Sequence, residues 1–197
     1  MFANRFTVVL DACVLAGVLK RNIILSLAEA ELFRPRWSAR ILNETQAAIE
    51  KMEKRKKRDK PQNRAQRART QIELAFEDAR INGFEHLESG FPELPDKDDA
   101  HVIAVAIKTK ASIIVTDNLK DFPSHILAPL EIEAKSADDF IADTFDLSLP
   151  KSLAAVKKMR ERFRRPEITI EQLLIRMDEV GLPQAADIMR DHIELLD

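Results

Sequence analysis

Two short apolar runs in this chain each stop on an acid. FTVVL, residues 6–10, ends at Asp11, and IIVT, residues 113–116, ends at Asp117-Asn118. Runs this short, rich in β-branched residues and apolar throughout, predict strands buried on both faces, as in a parallel sheet. Open sheets of that kind place their sites in the loops that leave the carboxyl ends of the strands. The same few residues therefore predict an α/β fold and mark the edge of the sheet where carboxylates stand ready for chemistry.

The rest of the sequence supplies helices around such a sheet. A helical stretch over about 13–32 carries Ile23, Ile24, Leu27 and Leu32 at three- and four-residue spacing, and Pro35 closes it. Ser38 is placed to cap the next helix, which bears Ile41, Leu42 and Glu44. Pro61 then divides a helical hairpin, about 39–59 and 62–80, that ends at Asn82-Gly83. Residues 90–98 read as a surface loop. From Asp98 or Asp99, DAHVIAVAIKTK is apolar on nearly all sides, so it predicts a helix packed on the sheet. A third strand is expected near 130–133, and Ser136 with Asp139 starts a helix running to about Phe145.

Pro150 marks a boundary. We expect one domain over 1–147 and a helical extension over 148–197. The extension begins with a basic helix, about 151–164, whose Lys157, Lys158, Arg160, Arg162, Arg164 and Arg165 could extend a basic surface. Two short amphipathic helices follow. Thr169 with Gln172 makes a capping box, and Gly181-Leu182-Pro183 separates the pair. Helices of that length need a surface for their apolar faces. Packing within the chain is the simplest provision; a second copy or a partner helix are the others.

Composition narrows the chemistry. Four glycines and no glycine-rich phosphate motif argue against a nucleotide loop. One cysteine and four dispersed histidines argue against a disulfide framework and a zinc site. No apolar run approaches the roughly 18 residues of a membrane span. Asp11 interrupts the apolar start, which is wrong for a signal peptide, so a cytoplasmic protein is expected. The net charge of −2 hides an asymmetry: residues 51–69 hold ten Lys/Arg against two acids. Such a block suggests a polyanionic partner, nucleic acid above all; a solvated hairpin is the other reading. Lys54, Lys56, Lys57 and Arg58 are its candidate phosphate contacts, with Arg21 a further one near the first strand.

That leaves the acids. Asp11 ends a strand, Asp99 stands at the first turn of an apolar helix, and Glu44 lies on a helix face beyond Ile41. Taken singly, Asp99 reads as a helix cap and Glu44 as a surface acid. Taken together, carboxylates converging without His or Cys repel one another unless a cation is bound. Hard oxygen ligands select Mg²⁺ or Mn²⁺, and such ions activate water and neutralise charge on a phosphodiester.

In this order the motifs resemble PIN-domain ribonucleases, and among them the VapC-type toxins of bacterial toxin–antitoxin pairs. VVLDACVL is similar to the first strand with its acid, here Asp11. RPRWSARILNE is similar to the helix that presents the second acid, here Glu44. PDKDDAHVIAVAIK carries the third, on Asp99, with Asp96 and Asp98 left as turn and capping acids. IIVTDNLKDFP resembles the fourth element, whose ligand position falls on Asn118, with Asp121 able to serve instead and Asp117 an additional acid. The resemblance covers about residues 5–145. It implies a Rossmann-like sheet and an endoribonuclease dependent on Mg²⁺ or Mn²⁺. Asp11, Glu44, Asp99 and Asn118 would hold one or two metals, and Asp121 would join them in the catalytic set. It further implies an RNA substrate, a separately encoded antitoxin, a possible homodimer and a longer branch with C-terminal helices.

Cys13 departs from the Ser or Asn that many PIN domains carry there, and reads as a small buried hydrophobe. Thr116, at a strand end, could orient Asp11 or a water. Trp37 reads as a core anchor beside the sheet, with base stacking its other role; His101 reads as a packed helix histidine, and His86 and His125 have no metal spacing. Two readings from other classes stay open: a nucleic-acid-binding module that has lost catalysis, and an interaction protein working through its C-terminal helices.

Overall fold

A computed structural model describes residues 6–91, 93–163 and 167–196. Its sheet has five strands, β1 (Thr7–Leu10), β2 (Arg34–Ser38), β3 (Arg80–Ile81), β4 (Ile113–Val115) and β5 (Glu133–Lys135). All neighbours are parallel, in the order β3-β2-β1-β4-β5. The FTVVL run thus forms the central strand, with Val8, Val9 and Leu10 fully buried. Val8 is in register with Pro35 on one side and Ile113 on the other.

Two strands differ from the sequence reading. β2 replaces the helix-closing loop expected at FRPRWS. Pro35 and two arginines conceal it, and only its position between β1 and β3 makes it a strand. β5 lies three residues later than expected, because Ala128–Leu130 is a 3₁₀ turn closed by Glu131 in the left-handed region (φ 56°).

The helix expected over 13–32 is two helices, α1 (Ala12–Ala16) and α2 (Val18–Glu29), divided at Gly17, whose backbone is extended. The hairpin is α3 (Ala39–Arg55) and α4 (Pro61–Ala75), with Ser38 Oγ accepting from the Ile41 N–H at 3.1 Å. Small residues let α1, α3 and α4 approach closely: Ala16, Ile49 and Ala65 are buried together, flanked by Ala48, Met52 and Ala68. α5 (Ala100–Thr109) is buried along most of its length, as its apolar pattern requires. A single turn, α6 (Ser124–Leu127), precedes β5. Trp37 of β2 is fully buried and meets Phe76 edge to face, ring centroids 6.0 Å apart, so it anchors the core and is closed to base stacking.

Helices α7 (Ala137–Leu147), α8 (Leu149–Glu161), α9 (Ile170–Glu179) and α10 (Pro183–Arg190) complete the chain. By packing, the chain falls into two units. Phe6–Gly17 with Arg34–Lys135 hold the whole sheet and α1, α3, α4, α5 and α6; Val18–Phe33 and the residues from Ser136 onward hold α2 and α7 to α10. The division expected at residue 147 follows the chain, whereas packing groups α2 and α7 with the helices beyond it.

Within the helical unit, α9 and α10 are shorter than the roughly 12–15 residues at which a helix becomes marginal alone. They bury Leu173, Leu174 and Met177, and Ala185 and Met189, with α10 packed on α7 and α9. The capping box of Thr169 and Gln172 is present, and Gly181 (φ 76°) reverses the chain between the two. Asp138 of α7 caps α10 across space, its carboxylate accepting from the N–H groups of Gln184 and Ala185 at 3.0 Å each. The basic helix is largely occupied with its own unit. Arg160 donates to the carbonyls of Leu196 (2.9 Å) and Ile168 (3.4 Å), and Arg162 pairs with Glu29 at 2.6 Å. These two are therefore not a free basic surface, while Arg164 and Arg165 lie outside the described residues. Among the described residues no helix is long and apolar enough to cross a membrane.

Candidate active site

The parallel ladder continues one residue past β1 and β4. The Asp11 N–H donates to the Val115 carbonyl at 3.0 Å, and the Thr116 N–H to that of Lys135 at 2.9 Å. Asp11 and Thr116 consequently leave the sheet side by side, 105 residues apart in sequence, and the Thr116 hydroxyl donates to Asp11 Oδ2 at 2.7 Å. The other oxygen, Oδ1, accepts from the Ala12 N–H at 2.6 Å as α1 begins. Asp11 is only 7% exposed, and these bonds fix its carboxylate in one orientation.

Cys13 stands against the same carboxylate, Sγ 3.1 Å from Oδ2, and receives the Asp117 N–H at 3.3 Å. It is exposed at the surface, not the buried hydrophobe expected. Even so, loss of hydration around the sulfur, followed by the charge of Asp11, pushes its thiol up to about 12. At neutral pH it is a thiol, neither nucleophile nor thiolate ligand.

The acids proper gather at the start of α5. Asp96, Asp99 and Asp121 each offer an oxygen within 4.8 Å of the others. Asp99 is half-buried, and its carboxyl is pushed up to about 6 by lost hydration and then by the charges of Asp11, Asp96 and Asp121. Asp11 is thus within electrostatic reach of the group. Asp121, 8% exposed, accepts from the Asn118 side-chain amide, and the Asn118 N–H donates to Thr116 Oγ1 at 3.0 Å. Asn118 and Asp121, the two candidates for the fourth position, are thus bonded to each other, and the Asp121 carboxylate stands within the cluster.

Asp96 does what its turn position suggests, accepting from the Asp98 N–H at 2.9 Å. It also stands in the cluster, which sequence spacing did not indicate, since the acid opposite it lies 25 residues on. Glu44 joins the neighbourhood through intermediaries. Its Oε1 is 3.2 Å from Nε2 of the fully buried His101, outside hydrogen-bond geometry, and 3.3 Å from Arg40 Nε. Burial raises the Glu44 carboxyl, but His101 and then Arg40 outweigh it and leave the group below its usual value. His101 also acts on Asp99, lowering it slightly against the acids.

The basic candidates lie at the hairpin tip. Lys54, Lys56, Lys57 and Arg58 are all exposed. Lys54 pairs with Glu50 at 2.5 Å, and the nearly buried Glu53 has Arg58 at 3.9 Å and Arg64 at 3.7 Å. Arg21 belongs to α2, in the helical unit, and is half-buried.

Oxygen-only donors at this spacing, with one carboxyl raised by burial and then by its neighbours, form a set that a hard divalent cation fits. A PIN domain family model matches residues 7–120, more than half of the chain, and a VapC50 C-terminal domain model matches residues 137–191. A curated relative, "Putative ribonuclease VapC50" of Mycobacterium tuberculosis (strain ATCC 25618 / H37Rv), is 39% identical over 88 residues. The aligned part is 45% of this chain and 52% of that protein, so the chain spans about half the length of the curated relative it matches. No solved structure matches the chain. The strand-end acids, the parallel sheet and the two family matches agree, and the chain belongs to the PIN-domain family, with a VapC50-type C-terminal domain.

Proposed function

We propose that this protein is an endoribonuclease dependent on Mg²⁺ or Mn²⁺, acting in the cytoplasm as the toxin of a toxin–antitoxin pair. The observation that carries the reading is the cluster of Asp96, Asp99 and Asp121 beside Asp11, in which burial and then mutual repulsion raise Asp99. A cation there would remove that repulsion. The proposed set is Asp11, Glu44, Asp99, Asn118 and Asp121, with Asp96 added from the geometry.

A bound divalent ion supplies an activated water and charge neutralisation on the phosphodiester. The remaining work falls to the chain. Thr116 and the Ala12 amide hold Asp11 by its two oxygens. Asn118 aims Asp121, while His101 and Arg40 keep Glu44 ionised on α3. The exposed lysines of the hairpin tip supply the positive potential that holds an RNA backbone.

The test is incubation of the purified chain with total RNA, with and without Mg²⁺ or Mn²⁺, and mapping of the cut ends. Cleavage that requires the ion and disappears in Asp11→Asn supports the reading. Ion-independent cleavage, or the same cleavage in Asp11→Asn, overturns it. Co-purification with the product of an adjacent reading frame, and loss of cleavage in that complex, tests the antitoxin.

A further inference from the structure

We propose that Arg40 is a positioning residue for the acid cluster, tying the turn that carries Asp96 and Asp99 to α3. The inference rests on reading that cluster as a cation site. One guanidinium meets three segments. Nε lies 3.3 Å from Glu44 Oε1, one turn further along α3, and Nη1 lies 3.4 Å from Glu88 Oε2 in the 3₁₀ segment Glu85–Gly90. Nη2 donates to the Asp98 carbonyl at 3.0 Å and stands 3.7 Å from that residue's carboxylate.

The Asp98 carbonyl belongs to the short turn that sets the cluster. In it Asp96 Oδ1 accepts from the Asp98 N–H, and the Asp99 N–H donates back to the Asp96 carbonyl at 3.2 Å. Three carboxylates drawn within 4.8 Å of one another repel. Among the described residues the ion pair made by this turn is the one to Arg40. Ion pairs as exposed as these contribute little one at a time. Arg40 differs because its arms reach residues 44, 88 and 98, so a single side chain joins segments that are distant in sequence. Only a planar fork of five donors does this; a lysine ammonium keeps the charge but cannot span all three. Outer groups that hold metal-binding carboxylates in place commonly govern affinity by ten- to a hundredfold.

The experiment compares the full chain with Arg40→Met, Arg40→Lys and Glu88→Gln, after thermal melts show each variant folded. Three quantities are read: Mn²⁺ affinity by calorimetry, hydrogen exchange at the Asp98 and Asp99 amides, and kcat and KM on RNA. Arg40→Met is expected to weaken Mn²⁺ binding about tenfold, speed exchange at both amides and lower kcat with KM little changed. Arg40→Lys recovers part of this. Glu88→Gln, which cuts one arm and spares Glu44 and Asp98, moves the same quantities less. Unchanged exchange and Mn²⁺ affinity in Arg40→Met, with intact wild-type Mn²⁺ binding, overturn the role of Arg40 alone. A raised KM with a shallower salt dependence and unaltered Mn²⁺ affinity would make Arg40 a phosphate contact instead. A wild-type chain that binds no Mn²⁺ overturns the cation-site reading and this role with it.

Discussion

In the first turn of α7, Asp138 is 7% exposed, and both of its oxygens accept backbone N–H groups at the start of α10. At the start of α5, Asp99 makes no capping hydrogen bond and sits half-buried, and lost hydration, followed by the charges of Asp11, Asp96 and Asp121, raises it to about 6. Both acids stand at helix N-termini, where the dipole favours a carboxylate. Asp138 has its charge satisfied by the chain and so contributes to stability. Asp99 has its charge opposed by burial and by its neighbours, a cost to the folded state that a proton or a bound cation would offset. The contrast separates an acid that the chain itself satisfies from one that the proposed cation would satisfy.

The largest expected effect comes from neutralising acids of the proposed site. Asp11→Asn or Asp99→Asn should lower metal-dependent RNA cleavage by about 100-fold or more, beyond the range of supporting residues. In Asp99→Asn the melting temperature should hold or rise, because repulsion is relieved, whereas Asp11→Asn also gives up one of the acceptors that Thr116 and Ala12 use and should melt no higher than the wild type. A variant that cuts normally would erase the distinction between the two kinds of acid. Next, reversing Lys54, Lys56 and Lys57 to Glu should weaken RNA binding by about tenfold or more. It should also flatten the salt dependence by about 2 in slope, at ~0.7 for each phosphate of a single strand that is no longer neutralised. An unchanged slope in filter binding returns the hairpin tip to a solvated surface.

Asp138→Ala should act the opposite way to Asp99→Asn. It leaves two backbone N–H groups unpaired and should cost about 1–2 kcal/mol in urea unfolding, while cleavage per folded molecule stays the same. The smallest effect is a pH slope. The folded chain keeps the Asp99 proton up to about pH 6, whereas the unfolded carboxyl loses it near 3.8. Between those values the folded state binds more protons, so stability without divalent ions falls as pH rises through that window. Asp99→Asn should remove this part of the slope, and Asp138→Ala should not.

What could be read from sequence was local. β1 and β4 declare themselves by β-branched side chains, and Ser38, Ser136 and Thr169 by capping patterns spanning three residues; the structure keeps all three caps. β2 could not be read, because Pro35 and its flanking arginines carry no strand signal and its neighbours β1 and β3 impose the conformation. The site divides in the same way. Asp11 and Asp99 are marked by where their strand and helix fall. Asp96 reads as a turn acid until Asp121 is brought opposite it. Arg40 and Glu44 stand four apart in plain view, yet the arms of Arg40 to Glu88 and Asp98 depend on segments 48 and 58 residues away.

The pairing of β1 with β4 also has a consequence in time. Asp11 is made early in synthesis, while Thr116, which fixes it, and Asp121, which faces Asp99, come more than 100 residues later. At roughly 5–20 residues per second, the first acid waits about 5–20 s for its partners to be translated. Contacts so far apart in sequence form late, after the entropy of closing a long loop has been overcome. A nascent chain therefore carries the acids without the cluster, and the proposed site assembles only once most of the sheet unit has been translated.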